Sequence, residues 1–407
     1  MTDILRRWAV AAALVFGPAA AHAFKVPLPI EGATMNISGT IQSQALINEN
    51  GTPDGQNLSY DIFARRTRLQ VQGDFAKSFA YFLQFDNPDF GKYGNFNNRL
   101  FIQDAWFAWA PTGITGGTVF FVEAGIIFVP VARDTITTIT NKPTVEGHPN
   151  LSRGLGTGYV TSRSTGVGFR GWALDKKIGF RGGIYEGARP NTPTSLVNPK
   201  SRPTVAAFVN YDILGSEEGG WLYQAIYWAK DPIVSISVAG VHQSLAVIGP
   251  NGATDHSSLS ATLFADYPLS ERQEVVLILA GWRHNNGTYS RDTGNAFSAD
   301  LGFRYGAFKP YVSYEYFTSD DCDSNGTPAQ CGNPHSADTR NLRFGLVYYI
   351  NKNLNHVDVE FSLNRGLSSW GAQGVTPAPA VAAGDPPLTS LAHTPSKSLL
   401  LHWNVVF

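Results

Sequence analysis

Apolar and polar residues alternate one by one along most of this chain. In the segment 35–47, Met35, Ile37, Ile41, Ala45 and Ile47 fall on one face of an extended strand, and Asn36, Ser38, Thr40, Gln42 and Gln44 fall on the other. A period of two marks a strand with one apolar and one wet face. The same alternation predicts strands over about 62–74, 78–87, 100–110, 118–128, 163–175, 177–187, 201–214, 232–244, 256–267, 272–284, 295–305, 308–317, 338–350, 354–365 and 396–407. Connections alternate between short, as at Asp175-Lys176 and Gly306-Ala307, and long and polar, as at 48–61, 129–162, 188–200, 286–294, 318–337 and 366–395.

An apolar stripe repeated on strand after strand must be covered by another sheet or by lipid. No run of 18 or more apolar residues occurs after residue 23, and mean hydropathy is −0.12, so membrane-spanning helices are excluded. In hydrocarbon, only helices and edge-free barrels satisfy every backbone N–H and C=O. The fold class expected is therefore all-β: a transmembrane antiparallel barrel of about sixteen strands, an even number as single-chain bacterial barrels require. The piece 221–230 also reads as extended and would spoil that parity, so it is assigned to an elaborated connection at the short-turn end. The last strand sets Leu399, Leu401, Trp403, Val405 and Phe407 on one face and stops on an aromatic, which resembles the closing strand of bacterial outer-membrane barrels.

The other end of the chain changes the compartment. Arg6 and Arg7 precede an apolar stretch from Ala9 to Phe16, then Gly17-Pro18 and Ala21-His22-Ala23. That is the layout of a secretory leader, expected to cover 1–23 and leave 24–407 as the barrel domain. Aromatics at 12% and Gly at 41 residues suit girdles and tight turns. A formal net charge of −1 argues against a nucleic-acid partner. Cys322 and Cys331 lie in one polar segment and, in an exported protein, read as a disulfide closing a short loop.

Several segments then resemble, in order, the phosphate-selective porin O and P family. They are Phe63-Ala-Arg-Arg-Thr-Arg-Leu-Gln-Val-Gln-Gly-Asp-Phe75, Glu123-Ala-Gly-Ile-Ile-Phe-Val-Pro-Val-Ala-Arg-Asp134, Ala265-Asp-Tyr-Pro-Leu269, Lys309-Pro-Tyr-Val-Ser-Tyr-Glu315 and Arg343-Phe-Gly-Leu-Val-Tyr-Tyr-Ile350. Tyr223-Gln-Ala-Ile-Tyr-Trp-Ala-Lys230 is similar to a family segment between two barrel strands. The resemblance implies a homotrimeric bacterial outer-membrane porin with a long loop folded into the lumen, passing small anions or other small hydrophilic solutes without a cofactor.

Selectivity in such a pore would come from lumenal charge, and Arg suits anions because its planar donors pair with oxyanions and stay charged. Alternation places Arg66 and Arg68 on the polar face of their strand, and likewise Arg170, Arg181, Arg304 and Arg343 on theirs. The candidate constriction loop, 129–162, brings Arg133, Lys142 and Arg153, with Arg163 at its end, against Asp134 and Glu146. The anion-binding set is thus Arg66, Arg68, Arg133, Lys142, Arg153, Arg163, Arg170, Arg181 and Arg343. Lumenal carboxylates also accumulate, at Asp86, Asp104, Glu123, Glu315, Asp358 and Glu360, so the same arginines are compatible with mutual pairing in an unselective pore. His242, His284, His356 and His402 are dispersed, with no nucleophile-elbow pattern beside them, so neither an enzyme nor a metal centre is expected. The competing class is a non-conducting barrel serving as receptor or anchor, which would need a lumen filled by a plug or by bulky side chains.

Overall fold

The computed structural model describes residues 24–30, 32–49, 51–52, 57–76, 78–97, 100–113, 116–148, 162–187, 201–217, 222–249, 252–286, 293–320, 338–365 and 396–407. The leader, Arg153, Cys322 and Cys331 lie outside the described residues.

A short β1 (Phe24–Val26) precedes sixteen long strands: β2 (Met35–Asn48), β3 (Ser59–Phe75), β4 (Phe79–Asp86), β5 (Phe101–Trp109), β6 (Val119–Phe128), β7 (Arg163–Ala173), β8 (Ile178–Tyr185), β9 (Thr204–Leu214), β10 (Ile233–Gly249), β11 (Gly252–Ser270), β12 (Gln273–Asn285), β13 (Gly294–Tyr305), β14 (Phe308–Ser319), β15 (Thr339–Asn351), β16 (Asn355–Arg365) and β17 (Ser396–Val406). Each pairs antiparallel with the next, and β17 pairs with β2, so the sheet closes. β10 and β11 run longer than the alternation predicted, their ladder continuing to Gly249 opposite Gly252. Residues 222–230, the described part of the piece 221–230, are not a strand, as expected.

Closure uses the last residue. Phe407 exchanges backbone hydrogen bonds with Gly39 at 2.7 and 2.9 Å, and its ring lies where a Cβ on Gly39 would stand 2.5 Å from a ring carbon. Below that point β1 takes over as the neighbour of β2, pairing Phe24 with Ile37 and Val26 with Met35.

The distribution of polarity is the inverse of a water-soluble protein. Leu69, Val167, Val209, Val238, Leu259, Leu301, Leu346, Val359 and Leu401 are exposed on the outside, whereas Gln42, Gln44, Asp104, Ser237, Ser260, Ser298, Glu315 and Asn404 are buried within. An outward apolar band around a polar interior is what a barrel in lipid requires. Phe75, Trp109, Tyr211, Tyr267, Tyr305, Phe308 and Tyr348 stand on the outer face at the short-turn end, forming an aromatic girdle.

Two of the register shifts along the sheet turn an extra polar residue inward. Gln42 faces Arg66 but Ser43 faces Ala64, which leaves Arg65 as an extra residue and turns both Arg65 and Arg66 inward. Gln103 is extra between Asp104 and Ile102 in the same way, and Gln103 and Asp104 are both buried. Gly125 sits at φ 124°, and a Cβ there would lie 2.1 Å from the carbonyl oxygen of Ala105, so β5 and β6 can approach only at a glycine.

Candidate lumenal site

Two segments enter the barrel from opposite ends. From the long-connection end, the chain after β6 turns inward. Val129 and Val131 pack with Ile127, Tyr185, Ala206 and Val241, while Ala132 packs with Ala280, Trp282, Ala296 and Phe317 on the far wall. Single turns of 3-10 helix follow at Asp134–Ile136 and Ile139–Asn141. Val145 then lies against Leu46, Phe63 and Leu400. A run of small apolar residues thus anchors the described part of this loop, 129–148, to three stretches of wall.

From the short-turn end, residues 222–230 of the connection between β9 and β10, expected from sequence as an elaborated connection at that end, also fold inward. The two segments join by backbone hydrogen bonds: Tyr223 N–H to the Ile136 carbonyl at 2.9 Å, Thr138 N–H to the Tyr223 carbonyl at 2.9 Å, and Ala225 N–H to the Asn141 carbonyl at 3.0 Å. The Arg133 guanidinium crosses the same junction, its Nε donating to Glu217 Oε2 at 3.1 Å and its Nη2 to the Gln224 carbonyl at 2.7 Å, over the Phe264 ring at 3.9 Å. Burial pulls the Arg133 pKa down, but the Glu217 carboxylate outweighs it and holds the guanidinium above its ordinary value. Below, Tyr227 N–H reaches Asp266 at 2.7 Å and Trp228 packs edge-on against Tyr349. The signal for this inward fold was the run Tyr223-Gln-Ala-Ile-Tyr-Trp-Ala, too long and too aromatic for a turn at the end where turns are short.

Glu146 clamps the loop to β3. Its carboxylate accepts from Arg65 Nε at 2.8 Å, Arg65 Nη2 at 3.1 Å and Arg66 Nη2 at 3.3 Å, and also from Gln44. Burial raises its pKa, but Arg65 and Arg66 dominate and keep it well below the usual carboxylate range. On the opposite wall His148 Nε2 lies 2.8 Å from Asp300, with Nδ1 3.7 Å from Glu315. Burial pushes this imidazole down, but the two carboxylates hold it up, at a pKa of about 10. Arg343 donates to the Gly147 carbonyl at 3.2 Å and to Glu315 at 3.1 Å.

The predicted site residues are therefore distributed in groups and not along one ladder. Arg66 and Arg343 grip the loop from two sides. Arg133 and Arg181 meet at Tyr223, whose ring lies 5.4 and 5.9 Å from their guanidinium carbons. Arg68 pairs with Asp86 at 3.0 Å, Arg163 with Asp104 at 3.0 Å and Arg170 with Glu123 at 3.1 Å, while Lys142 pairs with Asp134 at 3.3 Å. Arg65, Glu217 and His148 were not singled out from sequence. Strict alternation places Arg65 outward, and only the bulge reverses it.

No family profile matches the chain, and no curated protein matches it significantly. Solved structures do resemble it. The anion-selective porin from Comamonas acidovorans superposes with a TM-score of 0.58 at 15% identity, covering 92% of this chain and 100% of the other. OmpF of Salmonella typhi, solved with daunomycin, gives 0.57 at 11% over 94% of this chain and 100% of the other. The outer-membrane channel DcaP of Acinetobacter baumannii gives 0.52 at 13% over 94% of this chain and 99% of the other. At such identities the likeness concerns architecture: the chain has the closed sixteen-stranded barrel of the outer-membrane porins.

Proposed function

We propose that this protein is a bacterial outer-membrane porin through which small hydrophilic solutes diffuse passively, with residues 1–23 removed as a leader and the 129–162 loop narrowing the lumen. The observation that carries this reading is the inverted polarity of a closed barrel whose inward residues are Gln, Ser, Thr, Asp, Glu and Arg. A homotrimer is part of the proposal, supported by the family likeness of the sequence and by a similar Vibrio cholerae outer-membrane protein, OmpT, solved in trimer form.

Anion preference, with phosphate as its special case, would need arginines whose charge reaches the solute. Arg65, Arg66, Arg68, Arg133, Arg163, Arg170 and Arg343 each lie within ion-pair distance of a carboxylate. Paired charges present small fields, so the geometry favours weak selectivity over a phosphate ladder. The junction between the two lumenal segments favours a second reading, a barrel closed until that junction opens.

Single-channel recording in a planar bilayer under a salt gradient separates these readings. Steady conductance with a small reversal potential is expected. A large anion-signed potential blocked by millimolar phosphate would restore the phosphate ladder, and absence of conductance would leave the closed barrel.

A further inference from the structure

Near the short-turn mouth, β16 and β17 bring two histidines and an aspartate together on the inner wall. Asp358 and His402 are direct cross-strand partners, and His356 lies two residues before Asp358, on the same face. His402 Nδ1 is 2.7 Å and His356 Nε2 is 3.4 Å from the same Asp358 oxygen, and one ligand atom from each residue falls within 4.8 Å of the others. All three are buried.

We propose that His356, Asp358 and His402 bind a divalent transition metal, with Zn2+ the natural probe. Two imidazole nitrogens and one carboxylate oxygen are the donor set such ions favour, and three protein ligands leave a fourth position for water on the lumenal side. With metal–ligand bonds of about 2.0–2.1 Å, the edges of a tetrahedral shell are about 3.3 Å. The His356 approach already has that length, which exceeds a good hydrogen bond. The His402 approach needs to lengthen by a few tenths of an ångström as its shared proton leaves, because metal binding requires deprotonated ligands.

The far nitrogens add an independent observation. His356 Nδ1 and His402 Nε2 are buried with no hydrogen-bond partner among the described residues. In the metal-free state His402 Nδ1 donates its proton to Asp358; once a near nitrogen becomes a ligand, the far nitrogen of that ring is open to carry the remaining proton. Lys309, in the same cross-strand row two strands away, opposes a cation here, with its ammonium over the Tyr311 and Tyr349 rings. The site is thereby suited to an ion that bonds imidazole strongly and not to a hard cation held by charge alone.

The test uses the full barrel purified in detergent and freed of metal with chelator. Titration with Co2+ should give the intense visible bands of a tetrahedral site at one ion per chain, displaced by Zn2+. His402→Gln and Asp358→Asn should each weaken binding at least tenfold, while the heat-dependent gel shift of the folded barrel stays unchanged. Equal binding by the parent and both variants, or no saturable binding at all, would overturn the site. Zn2+ should also lower single-channel conductance in the parent and not in His402→Gln. That arm alone rests on the porin reading: saturable binding in a non-conducting protein would keep the metal site and remove the channel.

Discussion

The two halves of the lumenal wall obey one polarity rule and reach different electrostatic ends. Strands β3 to β8 carry Arg65, Arg66, Arg68, Arg163, Arg170 and Arg181 inward, set among Asp86, Asp104 and Glu123 and met by Glu146 from the loop. Strands β11 to β16 carry Asp266, Glu274, Asp300, Glu315, Asp358 and Glu360, against Arg304, Lys309 and Arg343. Arg304 takes Glu274 at 2.5 Å and Arg343 takes Glu315, which leaves Asp266, Asp300, Asp358 and Glu360 with no arginine or lysine within ion-pair distance among the described residues. One oxygen of each is served instead, by Tyr227 N–H, His148, His402 and the Tyr311 hydroxyl respectively. A long guanidinium can reach across the wall for a carboxylate, whereas a short carboxylate must accept whatever donor comes to it. The arginine wall is thus the quieter of the two, and counting arginines overstates its pull on anions.

Breaking the clamp between the arginine wall and the loop should have the largest effect. Glu146→Ala leaves Arg65 and Arg66 buried without their shared carboxylate, and loss of one partner from such a cluster costs about 3–5 kcal/mol. The loop should detach from β3, conductance should rise, and the reversal potential should move toward anions. An unchanged potential would mean that the two arginines do not face the solute path.

The junction of the lumenal segments comes next. Removing Glu217 strands the Arg133 guanidinium, whose side chain is 2% exposed, and removing Arg133 strands Glu217 at 1%. Each of Arg133→Met and Glu217→Gln should destabilise the folded barrel and enlarge the pore, while the double variant recovers much of the loss. Thermal unfolding followed by the gel shift, together with conductance, gives the cycle. Additive effects would show that the junction is held by its backbone hydrogen bonds alone.

The smallest effect expected is the pH response of the carboxylate wall. The His148 pKa is raised from 6.5 to about 10, so its pairing with Asp300 and Glu315 is fully present below pH 6.5 and is lost as pH rises through 10. Glu146 moves in the opposite sense: its lowered pKa gives stabilisation present above pH 4.5 and lost in acid below that value. Open-channel noise should therefore be least near neutrality and grow toward both extremes. In His148→Gln the alkaline rise should vanish and the acid rise should remain.

Much of the wall was legible one residue at a time. Alternation located all sixteen long strands, put Arg66, Arg68, Arg170, Arg181, Arg304 and Arg343 inside, and left 222–230 out of the strands. Those properties are local: a period of two and a turn fix which face each side chain takes. Arg65 escaped because one bulged residue reverses the parity on which that reasoning depends, and nothing in Phe63-Ala-Arg-Arg-Thr marks which residue is extra. The pairings escaped for a different reason. Arg65 meets Glu146 across 81 residues, Arg133 meets Glu217 across 84, and Gln42 meets Asn404 across 362. By itself the sequence determined the strands, their faces and the inventory of lumenal charge. Closure of the barrel and the inward folding of two connections decided which charges neutralise one another, because that depends on distances across the lumen that no local pattern encodes.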